Sequence, residues 1–309
     1  MQYEKVFDPP EVARYEEADD RHPGGDLRDG SVYVYDERTV LAVNVALVTR
    51  RPLLVSGPPG SGKSSLAPAI ARFMREKGWR YEGTAVSTRT EARDLLWTFD
   101  AVQRLSDAQV NELKADRAYI RPQVLWRAID PVKAAEYGPE GGEEREVEGG
   151  RAVVLLDEID KADPDVPNDL LVPLGSYTFD VTPTGDTVKL PEDAAAPLVV
   201  LTTNDERELS RPFVRRCVVL ELEAPDPDRL VGIAKSHHPD GDEDLFQAVA
   251  DQIAALQPDA RSTGDPVPNA AEYLDAVKAC MELGVTPGSE VWEHVAAATL
   301  RKRVRPDAR

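Results

Sequence analysis

Gly57-Pro58-Pro59-Gly60-Ser61-Gly62-Lys63-Ser64 follows the apolar run Leu53-Leu54-Val55, with only Ser56 between them. The octet fits G-x-x-x-x-G-K-[ST], placed where a strand should turn into a helix. Gly57, Gly60 and Gly62 let the backbone curl until successive N–H groups point inward at a phosphate. Lys63 then reaches the β- and γ-phosphates, and the Ser64 hydroxyl stands where it can ligate Mg²⁺. A helix starting near Lys63 adds its positive dipole end to the same anion site, and Pro58, Pro59, Ser61 and Ser65 complete the wrap. A plain Gly/Pro turn explains the glycines but not Lys-Ser at that offset. The stretch predicts a nucleoside triphosphate site.

A second run, Ala152-Val153-Val154-Leu155-Leu156-Asp157-Glu158, is apolar until it ends in two acids. Such a run suits a strand buried on both faces of a parallel sheet. Carboxylates at its C-terminal end lie where ligands bind in open α/β sheets. Asp157 is expected in the Mg²⁺ shell, and Glu158 is expected to polarise the attacking water. A strand that merely leaves the core at Asp157 accounts for one acid there, less easily for two beside a phosphate loop.

With 309 residues the chain has room for two ordinary domains and a substantial core. No apolar stretch approaches a membrane span, so no membrane insertion is expected. The start, Met1 to Lys5, lacks the pattern of a signal peptide, and the two cysteines, Cys217 and Cys280, have no metal-ligand spacing. A reducing cytoplasm is the expected compartment. The net charge of −19 makes a nucleic-acid backbone an unfavoured partner, since such proteins usually present a basic face. The one basic cluster, Arg301 to Arg305, reads as a helix end or a tail at least as well as a binding patch.

Along the chain, residues 1–30 read as an irregular acidic leader, with Pro9-Pro10 and Pro23-Gly24-Gly25 as breakers. Residues 31–224 alternate strand-like and helix-like patterns. Pro68 falls inside the helix after the phosphate loop, where a kink or an early first-turn irregularity is expected. One helix is expected from Asp163-Pro164 to Leu174, and Tyr177 to Leu190, turning at Thr184-Gly185-Asp186, reads as a β-hairpin. After Ala224-Pro225-Asp226-Pro227 the pattern is helical only, so residues 225–309 are expected to form an all-helical lid on an α/β core.

These motifs together resemble the AAA+ ATPases, and within them the MoxR-like group. The resemblance runs from about residue 31 to residue 303. Leu198 to Asn204 is similar to the sensor-1 strand, and Arg211 to Cys217 is similar to the segment bearing the arginine finger. The hairpin before sensor 1 and an insertion over residues 95–122 mark the subgroup that also holds Mg-chelatase subunits and McrB-type motors. The resemblance implies a P-loop NTPase fold, with a five-stranded parallel sheet and a C-terminal helical lid. It implies ATP and Mg²⁺ as ligands, and Asn204 as a residue that helps position water. Arg216, or Arg215 next to it, is implied as a finger inserted into the neighbouring subunit's site. A homo-oligomer, commonly a hexameric ring, follows from that, as does a protein client, often one with a von Willebrand A domain. The pattern is broken at Gly264 to Ala270, where no sensor-2 Arg stands; Arg261 is the nearest basic residue. A polar residue after the second strand, Ser87 or Thr88, is a candidate contact for Glu158.

Remodelling of a protein partner is the function this reading favours. The alternatives are a nucleic-acid motor of the McrB kind, or a slow nucleotide-dependent assembly switch.

Overall fold

The computed structural model describes residues 3–15, 30–138, 150–263 and 267–300, with backbone alone over 257–263. Strands β1 (Val12–Arg14) and β2 (Val32–Val34) pair antiparallel, Val12 opposite Val34. This corrects the irregular reading of residues 1–30 at its one apolar patch. Ala13 and Phe7 are buried, and the Asn44 side chain bonds both the N–H and the carbonyl of Phe7. Buried backbone groups need such partners, and a helix side chain supplies them here. Residues 1–2 and 16–29 of the leader lie outside the described residues.

Helix α1 (Glu37–Thr49) starts at Asp36, whose carboxylate accepts from the Thr39 N–H at 2.7 Å. Strand β3 (Leu53–Ser56) leads through the glycine loop into α2 (Lys63–Met74). The helix runs on through Pro68 without interruption, and β4 (Arg80–Ala85) follows. The expected insertion is a two-stranded ribbon, β5 (Trp97–Phe99) with β6 (Ile120–Pro122), enclosing α3 (Ala101–Gln109). Next come α4 (Val124–Ile129), α5 (Pro131–Ala135) and the acidic strand β7 (Ala152–Asp157). The helix expected from Asp163 to Leu174 is instead two, α6 (Asp165–Asp169) and α7 (Leu171–Ser176), meeting at Leu170. Pro173 has no N–H to bond the Asp169 carbonyl, which accounts for the break between the two. The predicted hairpin is β8 (Thr178–Val181) with β9 (Asp186–Lys189). Strand β10 (Leu198–Thr202), helix α8 (Arg211–Val214) and strand β11 (Val218–Glu221) complete the alternation.

Five strands form one parallel sheet in the order β11-β3-β10-β7-β4. Composition explains the order. All residues of β7 and β10 are buried, as suits inner strands covered on both faces, while β4 and β11 have exposed positions and lie at the edges. One apolar cluster packs Leu54, Leu156 and Leu201 against Trp126 and Phe213 on one face. Another packs Leu53, Val55, Leu155 and Val200 against Leu66 and Ile70 of α2 on the other. The fold is thus the expected α/β P-loop architecture.

Among the described residues four helices follow: α9 (Pro227–His237), α10 (Glu243–Thr263), α11 (Ala270–Leu283) and α12 (Glu290–Thr299). Their apolar faces make a third cluster, around Phe246, Tyr273 and Trp292, which draws only on residues from Leu230 onward.

Candidate active site

The loop between β3 and α2 is shaped by its glycines. Gly57, Gly60 and Gly62 have φ of 142°, 72° and 93°, a region that side chains disfavour. A Cβ on Gly57 would stand 2.3 Å from the Leu222 carbonyl oxygen, and one on Gly60 would run into Asn269. Helices α1, α9, α11 and α12 have side-chain N-caps, but α2 has none, so side chains do not claim its first amides. Such a helix start favours an anion. The Ser61 hydroxyl is also buried there without a hydrogen-bond partner.

Lys63 is 6% exposed and donates to the carbonyls of Gly57 (2.6 Å) and Pro58 (2.9 Å), spanning the loop. Burial lowers its pKa, against the raising influence of Asp157, Asp160, Asp205 and Glu158. The Ser64 hydroxyl donates to Asp157 Oδ1 at 2.8 Å, joining the two sequence motifs across the sheet. Both are hard oxygen donors. A site with one carboxylate and one hydroxyl, the rest left to water and phosphate, is how Mg²⁺ is usually held. Among the described residues no group of three or more His, Cys, Asp or Glu forms a self-sufficient metal site.

The Thr202 hydroxyl, fully buried, donates to Asp157 Oδ1 at 2.5 Å and accepts the Glu158 N–H at 2.8 Å. One side chain on β10 therefore sets both acids of β7. Glu158 has φ of 59°, left-handed backbone uncommon outside glycine, so the chain turns sharply at that acid. Its Oε1 accepts from Asn204 Nδ2 at 3.2 Å and its Oε2 from Lys161 Nζ at 2.6 Å. Asp160, 2% exposed, accepts the N–H groups of Asn204 and Glu206, anchoring the turn after β10.

Gly60 to Ser65, Glu158, Thr202 and Asn204 share a cleft of about 460 Å³. The structure thus brings together Lys63, Ser64, Asp157, Glu158 and Asn204. It leaves Arg215 and Arg216 exposed after α8, outside this cleft. Arg216 instead lines a second pocket, of about 630 Å³, with Arg50, Arg51 and Lys189. The Ser87 hydroxyl pairs with that of Thr90 rather than with Glu158. Arg261, Gly264 and the terminal Arg301 to Arg305 lie outside the described side chains.

Several cleft residues escaped the sequence reading. Tyr33 of β2 stands over Gly62, and Arg229 of α9 lines the cleft while pairing with Asp36 at 3.2 Å. Asn269, in the Gly264 to Ala270 segment that lacks a sensor-2 Arg, caps α11 in a reciprocal box with Glu272 and lies against Gly60. The N-x-x-E spacing signals that cap. The Val32-Tyr33-Val34-Tyr35 alternation signals a strand. Nothing in either pattern signals the cleft.

The family model for the AAA domain (dynein-related subfamily) matches residues 52–217, more than half of the chain. The chain belongs to that family, and it is a P-loop ATPase. It is 26% identical over 215 residues to the peroxisomal Lon protease homolog 2 of Eremothecium gossypii, covering 68% of this chain and 19% of the relative. The chain therefore spans about a fifth of that relative's length. Its fold is similar to the RuvB Holliday junction branch migration motor of Thermotoga maritima, at 16% identity and a TM-score of 0.45, over 85% of this chain and 67% of the other. It is also similar to domain III of the replication initiation protein DnaA of Thermotoga maritima, at 16% identity and a TM-score of 0.45, over 92% and 99%.

Proposed function

We propose that this AAA-domain protein is a ring-forming, MoxR-like ATPase that binds ATP with Mg²⁺, hydrolyses it and uses the cycle to remodel a protein partner. The observation that carries the hydrolytic reading is the Ser64–Asp157 contact of 2.8 Å beside an uncapped helix start and a buried lysine. Backbone amides of Gly57 to Gly62 and Lys63 hold the phosphates. Ser64 and Asp157 hold Mg²⁺, which when bound neutralises charge on the transferring phosphoryl group. Glu158 accepts a proton from the attacking water, and Asn204 keeps the Glu158 carboxylate turned toward the cleft. Arg216, or Arg215, serves a neighbouring subunit's site, in keeping with its exposure and its distance from its own cleft.

In this reading residues 31–224 are the nucleotide-binding core and 225–309 the lid. Tyr33 and Arg229 wall the cleft where the two meet, so that bound nucleotide alters how α9 sits on the core. A protein client, such as one carrying a von Willebrand A domain, fits the charge of −19 better than a nucleic acid does. No helix among the described residues is long and apolar enough to cross a membrane; a cytoplasmic site of action is part of the same proposal.

Phosphate release from ATP with and without Mg²⁺, in the presence and absence of DNA, tests it. Mg²⁺-dependent steady turnover indifferent to DNA is expected. Stimulation by DNA would move the reading to a nucleic-acid motor, and a single burst without turnover to an assembly switch. Co-purification with a Glu158→Gln variant is the route to the client.

A further inference from the structure

The two carboxylate oxygens of Glu158 are each held by a different side chain. Asn204 takes Oε1 from the turn after β10, and Lys161 takes Oε2 from the 3₁₀ turn that follows Glu158 itself. The second contact is the closer, at 2.6 Å, and the pairing raises the Lys161 pKa, so its ammonium stays charged at neutral pH.

Stability does not explain this pair. The Lys161 side chain is 37% exposed and that of Glu158 is 29% exposed. Ion pairs so open to water add little to stability. Position is another matter. Glu158 leaves β7 with a left-handed backbone, and its N–H is fixed to Thr202, so the main chain points the side chain but leaves its torsions free. The ammonium is three residues on, in a turn closed by the Lys161 N–H bonding the Glu158 carbonyl at 3.0 Å. Lys161 is thereby carried on the same rigid hook as the carboxylate it grips. Ser87, one of the two residues after β4 expected to contact Glu158, is engaged by Thr90.

We propose that Lys161 is a positioning residue for hydrolysis. It fixes the Glu158 carboxylate through Oε2, so that with Asn204 on Oε1 the remaining lone pairs face the cleft, where the attacking water must be met. Each carboxylate oxygen can accept more than one hydrogen bond, so the grip leaves room for water. Lys161 touches neither phosphate nor water in this role; it acts only through Glu158. The inference rests on Glu158 being the group that activates water.

The test compares Lys161→Met, which keeps bulk and loses charge, with Lys161→Arg and Glu158→Gln, using steady-state ATP hydrolysis and nucleotide binding on the full chain. A misplaced general base commonly costs about tenfold or more. Lys161→Met is expected to lower kcat by about tenfold with KM and nucleotide affinity unchanged, and Lys161→Arg to recover most of it. A kcat for Lys161→Met at or above the wild-type value overturns the inference. Loss of kcat and nucleotide affinity together, with lowered thermal stability and no rescue by Arg, also overturns it, because it marks a structural role. Glu158→Gln separates the layers. If Glu158→Gln is inactive while Lys161→Met is normal, only the Lys161 role fails. If Glu158→Gln turns over normally, the reading of Glu158 fails first.

Discussion

The two ends of the central sheet are built from opposite materials. At the C-terminal ends of β3, β7 and β10 lie a glycine loop, one buried lysine and the acids Asp157, Glu158 and Asp160. At the N-terminal ends of β3 and β11 lie Arg50, Arg51, Arg216 and Lys189 around an apolar floor that includes Phe213 and Tyr177. Within one chain the first end has the phosphate loop and the acids, while its partly exposed cations Lys161 and Arg229 are each paired, with Glu158 and Asp36. The second end has exposed cations and no phosphate loop. The lesson is complementarity. In the proposed ring, the cations of the second end would meet the acidic, phosphate-binding end of a neighbouring copy.

The sharpest break in that comparison is Lys63→Ala, expected to abolish nucleotide binding in a fluorescent-nucleotide titration. Arg50→Ala, at the opposite end, should leave the same titration unchanged. Equal loss from both would erase the distinction between the ends. Glu158→Gln comes next, with kcat reduced by up to about 10⁴-fold while ATP remains bound. Arg216→Ala should cost about 10²–10³-fold in turnover with little change in affinity. Mixing it with Lys63→Ala should restore part of the activity, since each copy then supplies the end the other lacks. Failure to restore at every ratio tried would place the finger elsewhere.

Two smaller effects probe the acidic end alone. Thr202→Val leaves the Glu158 N–H and an Asp157 oxygen without their buried partner, and should lower unfolding stability by about 1–3 kcal/mol in denaturant titration. Burial also holds the Lys63 pKa below its usual 10.5. The charged lysine therefore disfavours the folded state at neutral pH, and the penalty fades as pH rises from the folded value toward 10.5. Lys63→Met should melt higher than the wild type near pH 7, with the gap closing in alkali. A gap that widens with pH would contradict the sign.

The fold and half of the site were legible because they rest on short-range chemistry. The glycines, Lys63 and Ser64 are consecutive, and the Val153 to Leu156 run declares an inner strand that must end at its acids. The hairpin at Thr178–Val181 and Asp186–Lys189 was equally local, since its turn lies in its own sequence. Thr202, Lys161, Tyr33 and Arg229 were not legible as site residues, because each gains meaning only from a neighbour distant in sequence or from a turn's direction. Thr202 reaches Asp157 across 45 residues, through the register that sets Leu201 opposite Leu156. The pairing of Val12–Arg14 with Val32–Val34 was hidden by the acidic segment between them.

By itself the sequence determined a phosphate loop after a strand, two acids closing another, and a helical C-terminal stretch. Each follows from hydrophobic period, glycine freedom or the spacing of donors along a few residues. Only the tertiary structure decided that Ser64 meets Asp157, that Glu158 is gripped by Lys161 and Asn204 together, and that Arg216 faces away from its own cleft. Those are facts of strand order and chain direction, which parallel pairing fixes between segments that no local pattern connects.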